Sequence, residues 1–451
     1  MQGYFRWLLV FLLFAALLRF TLLGSKSLWF DEAFSARYSG NLVSQIINPG
    51  WQKPDPHPPL YYLGLHYWIE LFGDRENSIR MPSAVLSLGN VGLLFLLGSR
   101  VFNPKIGLMA AGLLSVAPLS IWYAQEARMY AAVTFLGLLA ALFLSWDRWL
   151  ALPLLGLTLA VGFYVDYTFF VLWTVLSAVW FVHWWYGAKV MQPLWTWLVA
   201  TVGAFILYIP WGNQFLLFIN NFNDFHIFER LQQQIGFPIL SPAEILILFN
   251  FFGIGVVVLV FVVWRLFQYP NLRKGLILFL LFIFIIATIV FAIPRFYTVK
   301  RFLLLVWPYF ILGVSWGLMQ LGKWRIRLWI GLLGLSLAAA LVVLFLVPKD
   351  DWRSVVRYIN ANVAAGDVVW IDPPWNRTAF AYYEPTIDSQ SGDAVALQEA
   401  IYSDVWLIAE RPHGKIPPTS QSERVFDKNL KLVESIPFYR LEVRRYGSGK
   451  S

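Results

Sequence analysis

The chain of 451 residues contains no cysteine, which excludes disulfides, thiol nucleophiles and Cys-ligated metals. Charge is scarce too. Asp, Glu, Lys and Arg make up 14% of the residues, against about a quarter in a typical soluble domain. In their place stand 59% hydrophobic residues and a mean hydropathy of +0.61, so most of the chain belongs in lipid. Internal repeats of the kind found in transporters are also missing. The net charge of +9 would suggest nucleic acid as a partner of a soluble protein. In a membrane protein it places basic residues at cytoplasmic loop ends and beside anionic headgroups, and no nucleic-acid partner is expected.

Apolar runs long enough to cross a bilayer, about 20 residues each, occur near 8–24, 81–98, 107–124, 130–146, 150–166, 170–186, 195–211, 245–264, 275–293, 302–320 and 328–347. They predict a polytopic α-helical membrane protein of about eleven spans. No small-residue cleavage pattern follows the first run, so it reads as an uncleaved span. The run 58–72 is shorter, about 22 Å as a helix against a core of about 30 Å. Loop charge decides its place. With 58–72 lying on the membrane surface, the loops on one side carry Lys and Arg with Asp147 as their one acid, and the opposite loops hold most of the remaining carboxylates. That arrangement puts a long first loop, 25–80, outside. From Pro348 onward the composition turns polar, predicting a small extracytoplasmic α/β domain over 348–451. Its expected helices are Asp351–Asn362 and Thr378–Tyr383, with strands at Asp367–Ile371, Val405–Ala409, Lys431–Ile436 and Arg440–Arg445.

The most informative stretch is Ser27-Leu28-Trp29-Phe30-Asp31-Glu32-Ala33-Phe34-Ser35, where the chain leaves the first span. Adjacent carboxylates beside aromatic residues are costly near lipid unless used or paired. One of them suits a general base that deprotonates an acceptor hydroxyl during attack on an anomeric carbon. Helical neighbours point about 100° apart, so one faces a substrate: Asp31 is the expected base, and Glu32 is expected to turn towards a supporting Arg or hydroxyl. The same pair also fits an N-cap Asp and a first-turn Glu opening an amphipathic helix over 31–47.

Other groups gather at outward span ends. In Lys53-Pro54-Asp55-Pro56-His57-Pro58-Pro59 the prolines fix an extended backbone, and Asp55 and His57 suit a phosphate or a divalent cation, Mg or Mn, the one candidate cofactor. In Gln125-Glu126-Ala127-Arg128-Met129-Tyr130 the Arg128 fork suits a phosphate, while Glu126 suits holding that Arg, a cation or a sugar; a local ion pair capping two helices fits as well. Arg295, Lys300 and Arg301 offer cations where negative charge grows on a departing lipid phosphate, or else anchor headgroups. Arg19 carries the same two readings, and Asp166 suits sugar binding or helix capping.

Leu18-Arg19, Ser27-Leu28-Trp29-Phe30-Asp31-Glu32-Ala33, His57-Pro58-Pro59-Leu60-Tyr61-Tyr62, Arg80-Met81-Pro82-Ser83 and Gln125-Glu126-Ala127-Arg128-Met129-Tyr130 occur in one order, and Asp350-Asp351-Trp352-Arg353 opens the tail. In this ordered set the chain resembles the GT-C class membrane glycosyltransferases of the protein O-mannosyltransferase and aminoarabinose-transferase type. The resemblance implies a GT-C fold over 1–347 and a polyprenyl-phosphate-linked monosaccharide as donor. It also implies transfer with inversion outside the cytoplasm, with Asp31 as the base and His57, Arg128, Lys300 and Arg301 binding the donor phosphate. The acceptor hydroxyl would belong to a protein, a glycolipid or an envelope glycan, and the setting would be a bacterial inner membrane. Aminoarabinose transferases carry an acid and then Lys before the paired prolines. Here Pro56 and His57 stand in those places, so their metal site and donor sugar are not carried over. A flippase of lipid-linked sugars is the rival from another class; it would place ionisable groups near mid-membrane, whereas here they sit at span ends.

Overall fold

The computed structural model describes residues 2–48, 57–146, 149–185, 194–221, 299–392, 404–411 and 421–447. Asp55, Arg295 and the spans expected at 245–264 and 275–293 lie outside the described residues. The chain packs as two compact units, Met1–Thr21 with Val43–Gly64 and Arg80–Leu344, and Leu22–Leu42 with Leu65–Ile79 and Phe345–Ser451. The second unit thus draws two stretches of residues 22–79 into the same body as the tail.

The first unit is helical. Its elements are α1 (Gln2–Phe20), α3 (Val43–Ile47), the start of α4 (Leu60–Phe72), most of α5 (Glu76–Val101), α6 (Pro104–Ser115), α7 (Pro118–Ala124), α8 (Tyr130–Leu144), α9 (Ala151–Val165), α10 (Thr168–Trp185), α11 (Leu194–Asn221), α12 (Val299–Met319) and α13 (Arg325–Leu346). Among the described residues four helices are long and apolar enough to cross a membrane: α1, α5, the Trp195–Leu217 part of α11, and Gly322–Leu346, which contains α13. The helix pair α6 and α7 makes a fifth span only as one broken helix bent by 60°. At 15 residues, α8 and α9 reach about 22 Å, and two of the about eleven expected spans lie outside the described residues. The protein is integral to the membrane, as its composition requires. The run 58–72 forms α4, 13 residues long, again shorter than a span.

The bend between α6 and α7 has an identifiable cause. Pro118 has no N–H to give the Leu114 carbonyl, and the Ser115 carbonyl loses its helical partner where the axis turns. Arg19, fully buried at the end of α1, supplies the missing donors. Its guanidinium donates to Ser115 O at 2.9 Å and Leu114 O at 3.1 Å, and to the hydroxyls of Ser87 at 2.9 Å and Ser120 at 3.1 Å. The break is sealed further by an apolar cluster of Leu18, Val116, Ile121 and Ala340.

In the second unit, α2 (Phe30–Ser39) and the end of α4 accompany α14 (Trp352–Asn362), α15 (Arg377–Tyr383), α16 (Gln421–Asn429) and a five-stranded sheet. The strands β1 (Val368–Asp372), β2 (Ser389–Gln390), β3 (Val405–Glu410), β4 (Lys431–Phe438) and β5 (Leu441–Gly447) lie in the order β2-β1-β3-β5-β4. The pairs of β1 with β2 and β3 are parallel, and β5 is antiparallel to β3 and β4. Alternation places Val405, Leu407 and Ala409 of β3 on one face, where they join Trp370, Tyr446 and Phe426 of α16 in the core. The expected tail strands and helices are present with boundaries moved by a residue or two. One differs in kind: Arg440, expected as the start of a strand, sits in the hairpin turn at φ 61°. It is held there by an ion pair with Asp350 at 3.1 Å. The short β2 and the helix α16 were not expected.

Replacing Phe426 by Ala empties a buried position of this core and is expected to cost about 3–5 kcal/mol. Cleavage of the tail by protease at lower urea than in the parent protein, measured on the full chain, checks it; unchanged cleavage would place Phe426 outside the core.

Candidate active site

The Asp31–Glu32 pair belongs to the second unit. The helix α2 begins at Phe30 with Trp29 as its N-cap, so Asp31 and Glu32 occupy the first turn, where the helix dipole favours negative charge. The expected N-cap role for Asp31 therefore does not hold. Nor does the helix run on to residue 47: it stops at Ser39 before Gly40, and Val43–Ile47 forms a separate turn. Asp31 is half-buried, whereas Glu32 is fully buried. The Lys349 ammonium, itself 5% exposed, stands 2.8 Å from Glu32 Oε2. The support expected from an Arg or a hydroxyl thus comes from a lysine 317 positions away. Burying two charges is costly, and their attraction offsets the cost only while both are present. Lys349 was missed in the sequence because a lysine between the last apolar run and Asp350 reads as an ordinary membrane-edge cation; nothing local names its partner.

Around this pair the tail opening binds the loop at several points. Arg353 pairs with Glu76 at 2.6 Å and donates to the carbonyls of Gly24 at 2.7 Å and Ser25 at 3.0 Å. The Tyr383 hydroxyl accepts from Leu28 N–H at 2.7 Å and donates to Glu76 at 3.1 Å. Tyr382 donates to the Asp74 carbonyl at 2.6 Å. Next to Lys349, Asp350 continues into a charge chain through Arg440 to Glu410, 3.7 Å beyond. Burial and the nearby Asp350 raise the Glu410 carboxyl above the ordinary range, against the opposing pull of Arg440 and Asn376.

The first unit holds the other described candidates. Gln125 to Met129 form the irregular connector between α7 and α8, and Glu126 and Arg128 are both buried in it. Arg128 Nη1 donates to the Tyr62 hydroxyl at 3.3 Å, its guanidinium lies 5.9 Å from the Tyr130 ring centre, and its carbonyl accepts from Ser83 at 3.2 Å. Gln125 ties the connector to α1 through the carbonyls of Arg19 at 3.2 Å and Thr21 at 2.7 Å. His57 Nδ1 lies 2.9 Å from Oδ2 of the buried Asp166, an ion pair when the imidazole is protonated. Asp166 also accepts from Thr168 N–H at 2.7 Å, capping α10. Lys300 and Arg301 lie on the first turn of α12. Among the described residues no group of three or more His, Asp or Glu is arranged to hold a metal ion.

Arg19 follows neither the phosphate nor the headgroup-anchoring expectation in its contacts: it is fully buried, and its guanidinium donates to carbonyls and hydroxyls around the Pro118 break. Tyr62, which follows the paired prolines, is a direct partner of Arg128.

Comparison with known proteins agrees with the resemblance read from the ordered motifs. A family model described as dolichyl-phosphate-mannose-protein mannosyltransferase matches residues 56–212, a range that includes His57, Glu126, Arg128 and Asp166. No curated protein matches the chain in sequence. ArnT from Cupriavidus metallidurans in the apo state shares the fold with a TM-score of 0.60 at 13% identity, over 98% of each chain. The same protein bound to undecaprenyl phosphate gives 0.57 at 14%, over 97% of this chain and 98% of that one. The archaeal oligosaccharyltransferase AglB from Archaeoglobus fulgidus, in complex with an inhibitory peptide and a dolichol-phosphate, gives 0.54 at 10%, over 90% of this chain and 69% of that one. The chain thus has the fold of ArnT, a GT-C type transferase, and over residues 56–212 it is similar to the O-mannosyltransferase family model.

Replacing Arg19 by Met takes this donor from the Ser115 carbonyl at the break and is expected to lower folded yield, since an unsatisfied buried group costs about 1–3 kcal/mol. Monodisperse protein in normal amount that has lost only donor binding would return Arg19 to a phosphate role.

Proposed function

We propose that this protein is an inverting glycosyltransferase that moves a monosaccharide from a polyprenyl-phosphate carrier to a hydroxyl acceptor on the extracytoplasmic face of a bacterial inner membrane. The observation that carries the reading is the division of labour between two adjacent carboxylates, in a chain with the fold of ArnT. Glu32 is buried and neutralised by Lys349, while Asp31, one residue earlier on the same turn, remains half-buried.

In the reaction the acceptor oxygen attacks the anomeric carbon as its proton passes to Asp31. The bond from that carbon to the phosphate oxygen breaks with its electron pair, and polyprenyl phosphate leaves. Attack from the face opposite the leaving group inverts the anomeric configuration. Arg128, with a planar fork suited to paired bonds to phosphate oxygens, is assigned to the donor phosphate. His57, Lys300, Arg301 and Arg295 join it as cationic groups that stabilise the leaving charge. Glu126 and Asp166 hold polar ends of this set or meet the sugar. A divalent cation, with Asp55 as a candidate ligand, would assist the same phosphate. The acceptor class is a protein, a glycolipid or an envelope glycan.

Purified protein supplied with radiolabelled polyprenyl-phosphate sugar and membrane acceptors tests the reading. Covalent transfer with release of polyprenyl phosphate is expected; label that only changes leaflet would make the protein a flippase. Asp31→Asn is expected to remove transfer by about a hundredfold or more, the usual scale of a general base, in a protein that still folds and inserts. Near-normal turnover would sink Asp31 as the base. Arg128→Ala is expected to weaken donor binding by about tenfold, the scale of one lost charge-assisted interaction, with acceptor affinity little changed. Equal losses for both substrates would argue against a phosphate role.

A further inference from the structure

Five consecutive residues, Lys349 to Arg353, each engage a different part of the second unit. Lys349 meets Glu32 of α2 at 2.8 Å, and Asp350 meets Arg440 of the hairpin turn at 3.1 Å. Asp351 caps α14 by accepting from Ser354 N–H at 3.2 Å, and Trp352 is fully buried. Arg353 closes on Glu76 and on the carbonyls of Gly24 and Ser25. The loop ahead of α2 is therefore clamped at its base by Arg353, while the first turn of α2 is gripped from the side by Lys349. Ser35 adds a bond from its hydroxyl to the Asp31 carbonyl at 2.9 Å, which stiffens the turn without fixing which way it faces. Rotation of α2 about its axis would carry Glu32 out of its buried place and strip it of Lys349, a large cost for a charge away from water. Because Asp31 is rigidly attached to the same turn, whatever fixes Glu32 fixes the direction of Asp31.

We infer that Lys349 is a positioning residue for glycosyl transfer: by holding Glu32 it sets the orientation in which Asp31 meets the acceptor hydroxyl, so the tail opening is part of the catalytic apparatus. This rests on the assignment of Asp31 as the base. A merely structural Lys349 would matter only as the neutraliser of a buried charge, and removing both charges together would then restore everything. A positioning Lys349 supplies a directional tether that two uncharged side chains do not replace.

The test compares Lys349→Met, Lys349→Arg, the double variant Glu32→Gln with Lys349→Met, and Asp31→Asn in the full-length protein, by folded yield, kcat, and KM for a polyprenyl-phosphate sugar. The double variant, which removes both charges of the pair, is expected to fold normally yet keep kcat lowered about tenfold or more, with donor KM within about twofold, as for a misdirected catalytic group. Lys349→Arg, which keeps the charge and the tether, is expected to recover most of kcat. A double variant with parental kcat would overturn the inference and leave Lys349 a charge partner only, whether or not Lys349→Met folds by itself. The underlying assignment fails separately: Asp31→Asn with normal turnover overturns the base, and an inactive Asp31→Asn beside a fully active double variant overturns only the tether.

Discussion

The interior of this protein is set by one constraint: a backbone carbonyl deprived of its helical partner in an apolar environment must find another donor. Proline creates that need at defined places. Pro118 denies the Leu114 carbonyl its i+4 donor, leaving it a bond from Ala117 N–H at 3.3 Å, and the Arg19 guanidinium donates to it and to Ser115 O. Pro82, inside α5, frees the Ser78 carbonyl, and the Trp68 indole donates to it at 2.9 Å. The broken helix, the buried arginine and the connector that carries Glu126 and Arg128 therefore belong to one arrangement. The bend ends α6 at Ser115, and the irregular backbone that follows α7 holds polar side chains on a chain otherwise built for lipid.

The second unit solves a related problem with charges. Two neighbouring carboxylates on one helical turn repel each other and resist burial. Lys349 relieves this by taking Glu32 fully inside, which separates the environments of two chemically similar groups. Such separation of adjacent carboxylates is how a site comes to have one supporting and one reactive acid. The tail sheet serves this arrangement through its edges and turns, since the hairpin turn at Arg440 pairs with Asp350 beside Lys349. The β1 and β3 core, by contrast, supplies the rigidity that lets the tail hold a loop from the far end of the chain.

Much of the architecture was legible in the sequence. Hydropathy located the apolar helices, and period-two alternation with turn residues located β1, β3, β4 and β5 of the tail within a residue or two. The short β2 and the helix α16 escaped: two residues carry no period, and α16, Gln421–Asn429, is dominated by polar residues, with Phe426 as its main core contact. The break at Pro118 was equally invisible to hydropathy, because both arms are apolar.

For the site, residue types and their order were enough to single out Asp31, Arg128, His57 and Asp166 and to suggest a transferase of the GT-C class, because a carboxylate pair or an arginine at a membrane edge is costly enough to stand out locally. Partnership was not legible. Arg19 reads as a phosphate ligand or a headgroup anchor until the carbonyls around it are located, and Glu32 and Lys349 are 317 residues apart with nothing local to join them. The sequence by itself determined which chemistries were available and where the chain must enter lipid, since both follow from composition and spacing. Only the tertiary structure decided which of two adjacent acids is fully buried and neutralised and which stays half-buried, because that depends on a cation brought across by folding.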